Sequence, residues 1–347
     1  MPAKTKPASS KAKPVEKTAV PIAAAKGRPM LTWVGKRPLR QVTAFPAQHI
    51  ETFNPTGEPA EKAGLLFHGD NKEVLAWLLA NGYRGKVNLI YIDPPFDSGA
   101  DYVRKVELRG VKGTGKLEGE GYTLGEQIQY TDIWANDNYL QFMYERLLLM
   151  RELLADNGTI YLHCDKHKGH LLRCLMDEVF GAANFRNEVI WYYSGGGASR
   201  ESFANKHDNI FCYQKGDGAV FNVDSVRMDY KWTEGQKRAD GSERDLEKGK
   251  LPDDVMGLDI IRLNKIVPWA SENTGYETQK NDAIVATFVR ASSNPGDLVL
   301  DCFVGCGTTA AVAQRMAGAG SGATSTRGQF RRPANGCRRS STSKSRR

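Results

Sequence analysis

Val87-Asn88-Leu89-Ile90-Tyr91-Ile92-Asp93-Pro94-Pro95-Phe96 decides how the rest of the chain is read. Six mostly apolar, β-favouring residues run into an acid, two prolines and an aromatic. An apolar run of this length predicts a strand buried on both faces, as in a parallel sheet. Asp93 then falls at the strand's carboxyl end, where open α/β sheets place their ligands. Pro94 and Pro95 cannot continue a ladder and hold an extended turn. The product is a rigid lip with one carboxylate, prolyl carbonyls lacking a companion N–H, and one aromatic face. Such a lip can accept hydrogen bonds from an amino group while a flat ring stacks on it. A plain strand end followed by a proline turn would use the same residues, so the flanking sequence has to decide.

Upstream, Leu65–Asp70 reads as a short strand and turn, and Asp70 or Asn71 can cap a helix over 72–81. Gly82 ends it, so the lip closes a strand–helix–strand unit. Downstream, 97–131 is rich in glycine and charge and predicts a lid or substrate-contacting loop, or a tolerated surface insertion. Leu140, Met143, Leu147, Met150 and Leu154 recur at helical spacing through 138–155, with Asn157-Gly158 as the stop. Strands follow at 159–163, 188–193 and 209–214, with a helix over 167–179. This alternation predicts a largely parallel sheet. From 215 to about 275 the pattern dissolves into charges and turns, as in an inserted subdomain.

A second constellation lies at Ser293–Thr309. A turn feeds a short apolar strand ending in Asp301, then Phe303-Val304-Gly305-Cys306-Gly307, then Thr308-Thr309 at a helix start. Glycines let backbone approach a ligand with no Cβ between them. Thr308 and Thr309 can cap the helix, leaving backbone donors for a ligand carboxylate. A phosphate-binding loop would need a lysine after the second glycine, and a dinucleotide fingerprint would need a third glycine. Neither is present.

The composition is that of a globular chain: 347 residues, 40% hydrophobic and 25% charged. No apolar run approaches the ~18 residues of a spanning helix, and there is no secretory h-region, so a cytoplasmic protein without a membrane partner is expected. Six scattered cysteines with no Cys-x-x-Cys pair fit a reducing compartment. His163, Asp165, His167 and His170 lie close together, but no second ligand cluster of matching spacing appears, and no metal is expected. Residues 1–28 and 317–347 carry +6 and +8, leaving −6 on the remainder of a chain whose net charge is +8. Basic ends can attract phosphate without sequence preference, or only solubilise.

Together, the Asp93 lip and the Asp301–Thr309 loop resemble the amino-group DNA methyltransferases. The order, catalytic motif first and cofactor loop last, resembles the β-group, which includes type III modification subunits. Tyr161–Asp165 and Tyr276–Lys280 extend the likeness over about 64–316; Asn281 stands where such proteins carry proline after Thr-Gln-Lys. The resemblance implies a Rossmann-like, S-adenosylmethionine-dependent α/β fold with circularly permuted motif order and an inserted target-recognition segment. It implies catalytic roles for Asp93, Pro94, Pro95 and Phe96, and cofactor binding by Asp301, Phe303, Gly305, Gly307, Thr308 and Thr309. It implies double-stranded DNA as substrate, adenine N6 ahead of cytosine N4 because the lip begins with Asp, and Arg200 and Lys231 as DNA contacts. A restriction subunit and a second copy are candidate partners. A protein-glutamine methyltransferase would usually carry Asn in place of Asp93 and place its cofactor loop first.

The implied organisation is a disordered basic tail at 1–28, a catalytic half at 29–193, a target-recognition insert at 194–275, a cofactor half at 276–316 and an aberrant tail at 317–347. After Met316 the helix runs into Ala317-Gly318-Ala319-Gly320 and a Ser/Arg-rich end, where the family has a strand ending in an acid. Taking the third base of each codon with the first two of the next, 317 onward can spell Arg-Arg-Trp-Ile-Gly-Cys-Asp-Ile-Asn-Lys-Gly, which resembles that strand and the next helix start. A frameshift after about Met316 is therefore expected, and with it weak cofactor binding. The chain would then be an impaired, DNA-binding remnant.

Overall fold

In a computed structural model, the structure describes residues 17–52, 64–96, 101–105, 126–131, 138–193, 200–228, 241–242, 249–257, 266, 272–274, 276, 278–316 and 319–324. In chain order the elements are β1 Thr18–Pro21, β2 Gln41–Ala44, β3 Leu65–His68, α1 Asn71–Ala80, β4 Val87–Ile92, β5 Asp101–Lys105, β6 Glu126–Thr131, α2 Asn138–Leu153, β7 Leu154–Cys164, α3 Gly169–Phe180, β8 Phe185–Tyr192, β9 His207–Gln214, β10 Val255–Met256, α4 Asp282–Ser292, β11 Leu298–Asp301, α5 Thr308–Arg315 and β12 Ala319–Thr324.

The apolar run Val87–Ile92 is a central strand. β4 lies between β7 and β11 in an eight-stranded sheet ordered β10-β8-β9-β7-β4-β11-β12-β3. Its side chains alternate between faces. Ile90 and Ile92 pack with Leu75, Leu78, Met143, Leu147, Leu172 and Met176 from α1, α2 and α3. Leu89 and Tyr91 pack with Ile284, Val285, Phe288, Val289 and Val312 from α4 and α5. Leu89, Ile90 and Ile92 have no exposed surface, so truncating any of them to Ala costs ~2–5 kcal/mol.

The sheet is parallel except at β9, which runs antiparallel to both β7 and β8. No described helix links β8 to β9, and a strand that returns without a crossover pairs antiparallel. β9 and β10, the described strands within 194–275, both pair into the sheet. β7 begins at Leu154, ahead of the expected stop at Gly158; a register shift between Val87 and Leu89 accommodates the early entry. Within 97–131, β5 and β6 form an antiparallel ribbon where a loop is expected, and the glycines of that stretch lie outside the described residues.

Order at the amino end begins before residue 28. β1 pairs antiparallel with β2, Val20 and Ile22 are buried, and Gly27 N–H donates to the Glu178 carbonyl. Apolar anchors draw the segment onto the domain despite its basic, low-complexity composition. Lys36 then reaches across to the fully buried Glu178, with Nζ 2.6 and 2.8 Å from its two oxygens.

At the other end, β12 lies between β11 and β3, parallel to both. A strand therefore fills the sheet position that the tail's composition leaves empty. Backbone ladders need no particular side chains, so Ala-Gly-Ser-Gly-Ala-Thr can take a place that apolar periodicity alone would not assign. The remainder of 317–347 lies outside the described residues.

Candidate active site

The carboxyl ends of β4 and β11 bring the two constellations together. These strands pair at Val299↔Leu89 and Leu300↔Ile90, so Asp301 and Asp93 leave the same edge of the sheet. One pocket is lined by Asp93, Pro94, Pro95 and Phe96 on one side and Asp301, Phe303, Val304, Gly305, Cys306, Thr308 and Thr309 on the other. Tyr276, Thr278, Gln279 and Lys280 close it. All the residues expected to hold amine and cofactor line this pocket except Gly307, which caps α5.

Two glycines shape the cofactor half. Gly307 has φ +94°, a left-handed conformation that suits glycine at the amino end of α5. Gly305 has φ +53°, and a Cβ there would stand 3.5 Å from the Tyr276 ring. No threonine side chain caps α5, contrary to expectation. Thr309 instead bonds Asp301, and Thr308 Oγ1 lies 3.4 Å from Cys306 Sγ and 3.5 Å from the Lys280 carbonyl. The hydroxyls stitch the loop to its neighbours, leaving the first-turn N–H groups without a side-chain cap.

Asp301 is 4% exposed and accepts from Phe303 N–H at 2.8 Å. Burial pushes its carboxyl up to about 7, against the bonds from Thr309 and Phe303. Beneath the loop, the buried Asn71 donates from Nδ2 to the Cys302 carbonyl at 3.1 Å, and its Oδ1 accepts from Arg146 Nε. Arg146 also donates to both carboxylate oxygens of Asp70, the residue that caps α1. Sequence reasoning read Asp70 and Asn71 only as capping residues and missed this brace.

The acceptor half has its own support. Asp93 Oδ2 is 2.5 Å from Lys280 Nζ. Behind the lip, Tyr91 Oη pairs with His163 Nδ1 at 2.9 Å and His163 Nε2 with Asp208 Oδ2 at 3.1 Å; Tyr193 Oη donates to Asp208 Oδ1 at 3.0 Å. Phe96 stacks on His163 at 6.2 Å between centres. The histidine considered for a metal is thus part of a buried chain that seats the lip. Burial, then the charge of Asp93, raises the Tyr91 hydroxyl well above its ordinary range, so it stays protonated. His167 pairs with Asp165 on the surface through Nδ1 at 2.5 Å. Asn281 takes the place of the family's proline by capping α4, its Oδ1 accepting from Ala283 N–H at 2.7 Å.

Arg200 is exposed in the connection between β8 and β9. Since β8 runs parallel to β7 and β4, that connection leaves from the same edge as the lip. Lys231 lies outside the described residues.

The profile of the DNA methylase family matches residues 87–322, spanning both halves of this pocket. The type II methyltransferase M.EcaI of Enterobacter cloacae is 29% identical over 302 residues, covering 69% of this chain and 62% of that protein. The type III EcoPI Mod subunit of Escherichia phage P1 is 31% identical over 232 residues, covering 62% of this chain and 36% of the subunit. The chain therefore spans less than two thirds of either relative's length. Among solved structures, the M1.HpyAVI-SAM complex has a TM-score of 0.45 and 17% identity, covering 75% of this chain and 92% of that one. With the family profile covering most of the chain and the same pocket, the chain belongs to the DNA methylase family, as a β-group amino DNA methyltransferase of the kind that draws its methyl group from S-adenosylmethionine.

Proposed function

We propose that the pocket transfers a methyl group to the exocyclic amine of a DNA base, adenine N6 ahead of cytosine N4. The observation that carries this is the convergence of the Asp93 lip and the Asp301–Thr309 loop on one pocket through adjacent parallel strands. The cofactor half suits S-adenosylmethionine: bare glycine backbone, uncapped N–H groups on α5 and a buried carboxyl at Asp301 offer acceptor and donors to a ligand carrying both charges. When bound, that cofactor supplies a sulfonium methyl and a neutral leaving group.

The chain's own residues do the rest. An exocyclic amine is conjugated to its ring and attacks poorly. Accepting its hydrogens at the Asp93 carboxylate and the Pro94 carbonyl favours the pyramidal form, whose lone pair forms the new N–C bond as the C–S pair stays on sulfur. One N–H proton then passes to the Asp93 carboxylate, which holds that hydrogen, and from there to solvent. Phe96, seated by His163, offers its face to the base and holds it against the lip. A paired base cannot reach the lip, so the target flips out at a cost of a few kcal/mol. Arg200, in the connection that leaves from the edge of the sheet carrying the lip, and Lys231 are assigned to DNA contact, with a restriction subunit and a second copy of the chain as candidate partners. Transfer of labelled methyl to mixed-sequence DNA that disappears in Asp93→Ala is the expected result; full transfer by that variant would overturn the assignment.

The carboxyl end supports a second reading, of a chain impaired by a frame change after about Met316. In the shifted frame, positions 319–324 spell Trp-Ile-Gly-Cys-Asp-Ile, which coincides with the bounds of β12. That string suits a strand between two parallel neighbours, and its acid falls at position 323, opposite Phe67. The written residues provide no acid there. Restoring the shifted frame is expected to strengthen cofactor binding at least tenfold by calorimetry. Equal micromolar affinity for both chains would refute this reading.

A further inference from the structure

Lys280 stands where the target amine should be. Its Nζ lies 2.5 Å from Asp93 Oδ2 and 5.1 Å from the centre of the Phe96 ring, over its face. The other oxygen, Asp93 Oδ1, is sealed from solvent and has no hydrogen-bond partner among the described residues. Neither oxygen is therefore open to an incoming group in this state. The ammonium makes the two contacts that the lip offers a flipped base, donation to the carboxylate and approach to the aromatic face.

The backbone at Lys280 is fixed on both sides. Asn281 caps α4, and the Gln279 side chain accepts from Thr274 N–H at 2.8 Å and donates to the Glu272 carbonyl at 2.8 Å. Only the lysine's flexible stem is left to move. An ion pair 12% and 19% exposed offsets the cost of a carboxylate held in an otherwise apolar lip, and gives way when a ligand supplies the same bonds.

We propose that Lys280 is a displaceable occupant of the amine subsite, filling it in the empty enzyme and swinging out when a base enters. The proposal rests on the reading of the Asp93 lip as the amine-holding half of the pocket. Displacement sets a threshold: a group must replace both the donated hydrogen bond and the ring contact before it gains the site. A water molecule or a base still paired in the duplex does not meet it.

The test is binding of the full chain to two labelled duplexes, one fully paired and one carrying a mismatched, easily flipped adenine, read by fluorescence anisotropy. With Lys280→Met the preference for the mismatched duplex should rise about fivefold, the factor that ~1 kcal/mol of relieved ion pairing gives. Lys280→Arg, which refills the subsite, should return the preference to the wild-type value. Lost positive charge alone would weaken both duplexes together and leave the ratio unchanged. Lys280→Ala serves if the Met variant does not fold. An unchanged or lower ratio in the charge-removing variant overturns the proposal. If Asp93→Ala still weakens mismatched DNA in that case, the lip keeps its role; if it too is silent, the reading of the lip falls with it.

Discussion

Replacing Asp301 with Asn should change how the fold responds to pH, by an amount the burial of this one carboxyl sets. Asp301 is 4% exposed, and burial lifts its pKa from 3.8 to about 7. The unfolded chain releases this proton near 3.8, while the native chain holds it to about 7. Between those values only the native state carries the proton. The stability that the neutral acid confers is thus full below about pH 4 and is lost as pH rises through about 7. A lift of about 3 units corresponds to ~4 kcal/mol, as an order of magnitude. The Asn amide oxygen can still accept from Phe303 N–H and Thr309, and it carries no charge at any pH. The stability of Asp301→Asn relative to wild type should therefore climb by several kcal/mol from about pH 4 to about pH 8. Urea titrations of both proteins across that range measure the difference directly. A difference that stays flat, or falls, would refute the assignment of a buried, neutral-favouring Asp301.

Other consequences follow from the same geometry. Asp93→Ala should lower methyl transfer by at least ~10²-fold, with cofactor affinity kept within about threefold by calorimetry, because the lip and the glycine loop are separate halves of the pocket. Phe96→Ala should weaken binding of mismatched-adenine DNA by ~1–3 kcal/mol, the worth of one stacked base, while leaving fully paired DNA little changed. Lys36→Met should cost ~3–5 kcal/mol in urea unfolding, since it leaves the fully buried Glu178 without its counter-ion. Asn71→Leu should destabilise the Asp301–Thr309 loop, seen as faster amide exchange there, because the Cys302 carbonyl loses its Asn71 donor and Arg146 Nε its acceptor.

Much of this site was legible in the sequence because its residue types have few other uses. An apolar strand that ends in Asp-Pro-Pro-Phe must stop at the sheet's edge, and Gly305 and Gly307 adopt positive φ where a ligand loop turns into a helix. The resemblance to a methyltransferase then rested on two such places, and the sheet sets them on adjacent strands. What periodicity could not show was direction and support. Nothing in His207–Gln214 states that it runs antiparallel, because pairing direction depends on how the chain returns. The braces were equally silent: Asn71 to Cys302 joins residues 231 apart, and His163 to Asp208 joins residues 45 apart. Low-complexity composition misled twice. Val20 and Ile22 anchor a stretch that its lysines and alanines mark as disordered, and Ala319–Thr324 forms a strand on backbone pairing despite its small residues.

The most direct test of the account is the product of methyl transfer. The chain as written, the chain with its frame restored after Met316, and the restored chain with Asp93→Ala would each be incubated with labelled S-adenosylmethionine and mixed-sequence DNA, and the digested nucleosides separated. The account predicts label in N6-methyldeoxyadenosine from the restored chain, less from the chain as written, and none from Asp93→Ala. Label that persists in Asp93→Ala, or DNA left unlabelled by every chain, would contradict it.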